Sequence, residues 1–196
     1  MNAYFNTNHV AGLLFMVTTM AWGMMELSQR SSVRREGATA IGSVGGRVVG
    51  LACVIAAVAW VDVAPHVLPA AAIRPGAVAF ALGMVVLLAG LVLRGWSFKA
   101  LGQYFTHTVM VSDDQPVIAT GPYRVLRHPS YTAVILIGLG VGLASANWAG
   151  LAGLMLLSIT ALLRRIHTEE SALMATLGDR YRAYAAQHKR LVPLVW

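Results

Sequence analysis

The chain has 196 residues, 57% of them hydrophobic and only 12% charged, about half the charged share of an ordinary soluble domain. The apolar residues come in long runs, which excludes a soluble globular fold and points to an integral membrane protein. The net charge of +7 is read as the cytoplasmic Lys and Arg excess of a membrane protein rather than as a nucleic-acid footprint. The single cysteine, Cys53, rules out an intrachain disulfide and any multi-cysteine metal site.

In chain order, hydropathy predicts five membrane spans over about 9–27, 44–64, 76–93, 129–146 and 148–163. No basic residue precedes Arg30, so the first apolar run is a poor match to a cleaved signal peptide and is kept as a span. Glu26 is open to two readings, a functional group inside the bundle or a marker of the end of this span, and the second is preferred. Several uncharged cores are shorter than the roughly 20 residues that cross a bilayer. Flanking Arg30, Arg47 and Arg94 are expected to lengthen them by snorkelling. The run 128–163 would be about 54 Å as one helix, too long for one crossing. Ser145-Ala146-Asn147-Trp148 is therefore the expected turn of a tight helical hairpin, with Trp148 at the interface.

Of the 15 Lys and Arg, all but Arg74 fall on one side of these five spans. That side is predicted to be cytoplasmic, with the N-terminus outside and the C-terminus inside. The expected fold class is all-α integral membrane, one membrane domain over 1–196. The cytoplasmic loop 94–128 and the C-terminal segment 164–196 then lie on the same side. The loop is long enough to suggest a function, and Asp113-Asp114-Gln115-Pro116 reads as a turn within it. Leu173, Leu177, Tyr181 and Tyr184 recur at helical spacing in the C-terminal segment, and Gly178 marks a break there. Tyr181 and Tyr184 read as packing residues, and His107, His167 and His188 as solvated or interfacial.

Two polar blocks stand out against this greasy background. The first is Gly121-Pro122-Tyr123-Arg124-Val125-Leu126-Arg127-His128-Pro129-Ser130-Tyr131. Gly-Pro is a turn signal, and His128-Pro129 reads as a helix start whose free N–H groups suit an anion. The second is Arg164-Arg165-Ile166-His167-Thr168-Glu169-Glu170, at the far end of the hairpin. The blocks are expected to face each other and form one site. Taken singly, Arg165 and Glu169 are no more than an i,i+4 ion pair, and Arg124 a lipid-phosphate anchor.

These blocks, with Leu101-Gly102, Phe105-Thr106, Leu177-Gly178, Tyr181, Tyr184 and Arg190-Leu191-Val192-Pro193, resemble the isoprenylcysteine carboxyl methyltransferase family and the wider group that includes phospholipid N-methyltransferases. The resemblance covers about the last hundred residues; spans one to three match only in hydropathy. It implies methyl transfer from S-adenosyl-L-methionine (SAM) to a lipophilic small-molecule or prenylated acceptor, with membrane lipids as further partners and no nucleic acid. It implies cofactor binding by Gln115, Pro116, Val117, Ile118, Tyr123, His128, Pro129, Ser130, Tyr131 and Glu169. Arg165 is implied to engage the acceptor, with Arg165 and Glu169 as the catalytic pair and a pocket closed by the C-terminal helix. Eukaryotic members carry a glutamine where Met110 falls and a histidine where Gln115 stands. Small prokaryotic relatives have five spans, which suggests a bacterial or archaeal plasma membrane. On residue chemistry alone, His128 or Glu170 is the candidate base for an amine or hydroxyl acceptor, whereas a carboxylate needs only orientation. Two alternatives are an NADPH-dependent membrane reductase of the sterol-reductase type and a non-enzymatic membrane protein with a relict site.

Overall fold

The computed structural model describes residues 4–28, 39–41, 44–105, 109–111 and 115–193. The helices are α1 (Tyr4–Thr7), α2 (His9–Ser28), α3 (Val44–Val67), α4 (Gly76–Leu101), α5 (Pro129–Ala144), α6 (Trp148–Leu177) and α7 (Asp179–Gln187). Each expected span lies on one of them. One short antiparallel ribbon pairs β1 (Thr39–Ile41) with β2 (Val109–Val111), an element that three-residue strands leave no periodicity to announce. Arg30, Arg34, Arg35, Thr106, His107, Asp113 and Asp114 lie outside the described residues, as does the side chain of Arg47.

This is an integral membrane protein with an almost entirely helical fold. Among the described residues, three helical stretches are long and apolar enough to cross a bilayer: His9–Ser28, Gly76–Tyr104 and Trp148–Leu177. The apolar helices Ile55–Val67 and Pro129–Ala144 are shorter. Large apolar side chains are exposed along α2 (Leu13, Met16, Val17, Met20, Met24) and α4 (Leu82, Val85, Val92), the outward face a lipid environment stabilises.

Two boundaries depart from expectation, both because a helix outruns its greasy part. α4 continues past position 93 to Leu101, so Arg94 and Lys99 are helical rather than loop. α6 continues past 163 to Leu177, so the second polar block sits on the same rigid rod as the last apolar run. The hairpin turn falls where expected. Asn147 caps α6, its Oδ1 accepting from the Gly150 N–H at 2.9 Å, and its Nδ2 donates to the Leu68 carbonyl at 3.0 Å.

α4 and α5 are in backbone contact. A Cβ on Gly83 would lie 2.5 Å from the Ala144 nitrogen, one on Gly140 2.5 Å from the Leu87 nitrogen, and one on Gly90 2.8 Å from the Ile137 nitrogen. Small residues one or two turns apart let two membrane helices close on each other. α3 is held to α6 by Trp60, whose Nε1 donates to the Ala149 carbonyl at 2.8 Å while its ring lies against Gly153. α1 and α2 lean on α4 and on the hairpin end through Ala11, Phe80 and Ala144.

Candidate active site

The site is built where the apolar part of the bundle ends. Gly121, at φ +55, opens a 3-10 turn over Gly121–Arg124; a side chain there would press on Trp96. The turn buries Tyr123, and Tyr184 of α7 fixes it by donating from its hydroxyl to the carbonyls of Tyr123 (2.8 Å) and Leu126 (3.2 Å). The chain end is laid along the same block. Arg127 N–H donates to the Lys189 carbonyl at 2.7 Å, His128 N–H to Arg190 at 3.0 Å, and the Thr132 hydroxyl to Leu191 at 2.8 Å. Proline then starts α5. The N–H groups of Tyr131 and Thr132 turn back to the His128 carbonyl, and Pro129 has none to offer. The helix start is thus less open to an anion than the sequence suggests.

Glu169 and Glu170 are neighbours on α6 with different surroundings. Glu170 is buried among three cationic or ionisable partners. Its Oε1 lies 2.8 Å from Arg127 Nη1 and 3.1 Å from His128 Nε2, and its Oε2 accepts from Arg190 at 2.9 Å. With its oxygens so engaged, Glu170 is a clamp joining the first block, α6 and the chain end, not a free base. His128, 4% exposed and tied to that carboxylate, is likewise part of the clamp. Glu169 points to a separate set. It accepts a short hydrogen bond from the Tyr131 hydroxyl, which in turn accepts from Arg165 Nε at 2.6 Å. Arg165 and Glu169 therefore meet through a tyrosine of α5 rather than as a plain surface ion pair.

Arg94 corrects two expectations. It does not snorkel; it is 7% exposed and turned inward. Its Nε and Nη2 donate to both oxygens of Glu26 at 2.8 and 3.0 Å, and its Nη1 to the carbonyl and hydroxyl of Ser130. The guanidinium lies over Phe98 and Phe105 at 4.5 and 5.5 Å. Glu26, which also accepts from Trp22 Nε1 at 3.0 Å, is thus a structural partner across the bundle and not a span terminator. The signal available in the sequence was opposite charges at the ends of two apolar runs, which pair when both face inward.

Between these sets lies a cavity of about 270 Å³, near the lower end of the roughly 300–1,000 Å³ of ligand pockets. Of the expected site residues, Gln115, Pro116, Val117, Ile118, Tyr123, His128, Ser130, Tyr131, Arg165 and Glu169 line it. Pro129 does not; it is fully buried at the first position of α5, where it shapes the backbone. Sequence reasoning missed Arg94, Arg127, Tyr181 and Tyr184 as lining residues, and the apolar wall of Val134, Leu162, Leu173 and Leu177. Tyr181 and Tyr184 are packed, as read, but they pack as a wall of the cavity.

The tyrosines outside the spans stay protonated. Burial pushes the Tyr123 phenol well above its ordinary value, and the Glu169 charge adds to the rise. Burial and the Glu170 charge do the same for Tyr181. Burial lifts Tyr184 to about 12 against the opposing pull of Arg127. Each keeps a hydrogen to donate at any ordinary pH. Among the described residues, two buried side-chain atoms have no partner, Arg127 Nε and Tyr181 Oη, and both belong to residues lining the cavity.

Comparison with known proteins falls on the same residues. The model of the isoprenylcysteine carboxyl methyltransferase (ICMT) family matches residues 81–175, bearing out the resemblance read from the two polar blocks. A probable protein-S-isoprenylcysteine O-methyltransferase of Oryza sativa subsp. indica is 27% identical over 116 residues, 58% of this chain and 61% of that protein. The protein-S-isoprenylcysteine O-methyltransferase of Schizosaccharomyces pombe is 31% identical over 117 residues, 59% of this chain and 49% of that protein. That of Xenopus laevis is 32% identical over 114 residues, 57% of this chain and 38% of that protein. The matches thus span less than two thirds of these relatives' length. A solved structure of the eukaryotic intramembrane Ras methyltransferase ICMT aligns with a TM-score of 0.61 at 24% identity, covering 79% of this chain and 55% of that one. The chain therefore has an ICMT-like membrane fold. These relatives are eukaryotic and lend no support to a bacterial or archaeal source; none of them supports the reductase alternative.

Proposed function

We propose that the chain is a SAM-dependent methyltransferase acting on the carboxylate of a lipophilic acceptor, isoprenylcysteine-like or another lipid, at the cytoplasmic membrane face. The observation that carries this reading is the convergence of the two polar blocks, from the start of α5 and the end of α6, on one cavity lined by both polar and apolar side chains. The family match over that stretch supports it.

The residues present fit SAM, because the cavity offers a counterpart for each of its parts. Two buried donors stand unpaired at Arg127 and Tyr181. Glu169 supplies negative charge for an ammonium or a ribose hydroxyl, and Tyr123 and Tyr131 offer ring faces for adenine or a sulfonium. When bound, SAM supplies a methyl group activated by its positively charged sulfur. Everything else falls to the chain. Tyr131 holds Arg165 Nε and Glu169 in one register, which keeps the Arg165 guanidinium at the cavity to meet an acceptor carboxylate. A carboxylate needs no proton removed, which suits a site whose second carboxylate, Glu170, is committed to Arg127, His128 and Arg190. Val134 and Leu162 give the cavity a greasy side that receives a lipid tail from the bilayer and excludes water. In this reading, residues 1–196 form one membrane domain with five spans, and the C-terminus is cytoplasmic.

Calorimetry of the purified chain in detergent tests the proposal. S-adenosylhomocysteine binds and NADPH does not. A chain that binds NADPH, or neither ligand, refutes it.

A further inference from the structure

The 3-10 turn Gly121–Arg124 has an outer side that the cavity does not use. It rests on α4: a Cβ on Gly121 would lie 3.1 Å from Trp96 Nε1 and 3.2 Å from the Ala100 Cβ. Positions i and i+3 of a 3-10 turn eclipse each other, so Arg124 falls on the side of the turn that meets α4. Lys99 follows Trp96 by three residues and is its neighbour on the helix surface. Lys189 joins them from the chain end, where it bridges Leu126 and its carbonyl accepts from the Arg127 N–H at 2.7 Å. Three segments far apart in sequence thus bring three cations around one turn.

All three are exposed, and among the described residues none has a carboxylate partner. The described carboxylates at this end of the bundle are engaged elsewhere: Glu26 with Arg94, Glu169 with Tyr131, Glu170 with Arg127, His128 and Arg190, and Asp179 with Arg182. Nor are the cations set in a purely polar surface. Trp96 is 54% exposed and Val125, beside Arg124, 55%. Trp96 comes within one turn of the end of the uncharged run 75–93. An exposed indole at the end of an apolar helix, with cations just beyond it, matches a bilayer interface, ring at the acyl boundary and charges among the headgroups. Unpaired positive charge at that depth selects negative headgroups. An acidic protein segment would answer the charge but gives no reason for an exposed tryptophan where the greasy run ends.

We propose that Trp96, Lys99, Arg124, Val125 and Lys189 form a docking surface for anionic lipid headgroups. The surface backs onto the cavity: Tyr123, next to Arg124 in the chain, is buried and lines it, so a lipid held by Arg124 braces the turn from outside. The docking does not depend on which reaction the cavity performs.

The test uses the full chain reconstituted in phosphatidylcholine vesicles that carry brominated phosphatidylglycerol or brominated phosphatidylcholine, with quenching of tryptophan fluorescence reading the relative affinity. The unaltered chain prefers phosphatidylglycerol at least fivefold, the scale of one cation near an anionic surface. Lys99→Gln combined with Arg124→Gln brings the preference close to one, while Arg124→Lys keeps it. Arg180→Gln combined with Arg182→Gln, an equal loss of charge on α7, leaves it within twofold. Equal affinity for the two lipids in the unaltered chain overturns the proposal. So does a preference that survives in the Lys99 and Arg124 double variant, or that falls as far in the α7 variant, since net charge and not this surface is then at work. If polyglutamate added to the vesicles displaces phosphatidylglycerol, the surface is one for an acidic protein segment and the lipid proposal falls. Should the double variant fail to fold, added salt gives the answer on the unaltered chain: the preference shrinks, and a preference indifferent to salt overturns the proposal.

Discussion

Adjacent carboxylates with separate duties give the most direct test of the site. Glu170→Ala removes the common partner of Arg127, His128 and Arg190. Taking one member from a buried ion pair costs roughly 3–5 kcal/mol, because a charge is left buried without compensation. Arg190, with a side chain 35% exposed, can turn to solvent, whereas Arg127 at 12% and His128 at 3% cannot. The lower end, about 3 kcal/mol, is therefore expected. At about 2–4 °C per kcal/mol for a chain of this size, the melting temperature falls by roughly 6–12 °C. Glu169→Gln removes the charge from a partly exposed group that accepts from the Tyr131 hydroxyl, so the fold loses about 1 kcal/mol. Its larger effect is on the ligand. A tenfold loss of S-adenosylhomocysteine affinity lowers the ligand's stabilising effect by about 1.4 kcal/mol at saturating concentration. Thermal unfolding in detergent, with and without S-adenosylhomocysteine, reads both quantities. If Glu170→Ala melts with the unaltered chain, or if Glu169→Gln is the less stable variant and keeps the full ligand shift, the assignment of clamp and ligand group is wrong.

Other consequences follow from the same geometry. Glu26→Ala strands a buried arginine and lowers the melting temperature by at least as much as Glu170→Ala, while Glu26→Leu combined with Arg94→Met recovers most of the loss; no recovery in the double variant refutes a pairwise role. Gly140→Val forces α4 and α5 apart and abolishes the folded fraction by size-exclusion chromatography, whereas Gly23→Ala, with open space around it, changes stability by no more than about 1 kcal/mol, toward stabilisation. Arg165→Lys cannot give bidentate contact, so it raises the KM for the lipid acceptor at least tenfold with S-adenosylhomocysteine affinity unchanged; an equal loss of both contradicts its assignment to the acceptor.

The sequence made the helices legible because a bilayer imposes long uncharged runs, and the hairpin turn because a single helix of that length would overshoot. The two polar blocks were legible for the same reason, as chemistry concentrated in a chain with little of it. What could not be read was which way side chains turn at a helix end. Arg94 at the end of a greasy run has two outcomes, out to the headgroups or in to a partner. Only the position of Glu26 on a helix distant in sequence decides between them. The lengths of α4 and α6 were hidden likewise, since their last turns lie beyond the bilayer and hydropathy says nothing there. Nor does any periodicity tell Glu169 from Glu170. Neighbours on a helix point about 100° apart, and what each meets depends on Tyr131 and Arg127 from another element.

On the function proposed above, the cavity joins a charged adenosyl donor to a lipid acceptor. The two do not share a solvent, so their meeting place has to lie near the end of the apolar part of the bundle. Backbone contact at Gly83, Gly90 and Gly140 fixes α5 against α4, which sets Ser130 beside Arg94 and so fixes the depth at which α5 begins. α6, an unbroken helix of 30 residues, carries Leu162 in its apolar stretch and Glu169 two turns later on one rod. Because both walls are rigid helices, the apolar-to-polar boundary is set by packing inside the bundle and not by loop conformation. Charged groups at that boundary are retained only if each is paired or awaits a ligand. Arg94, Arg127 and Glu170 are all of the first kind.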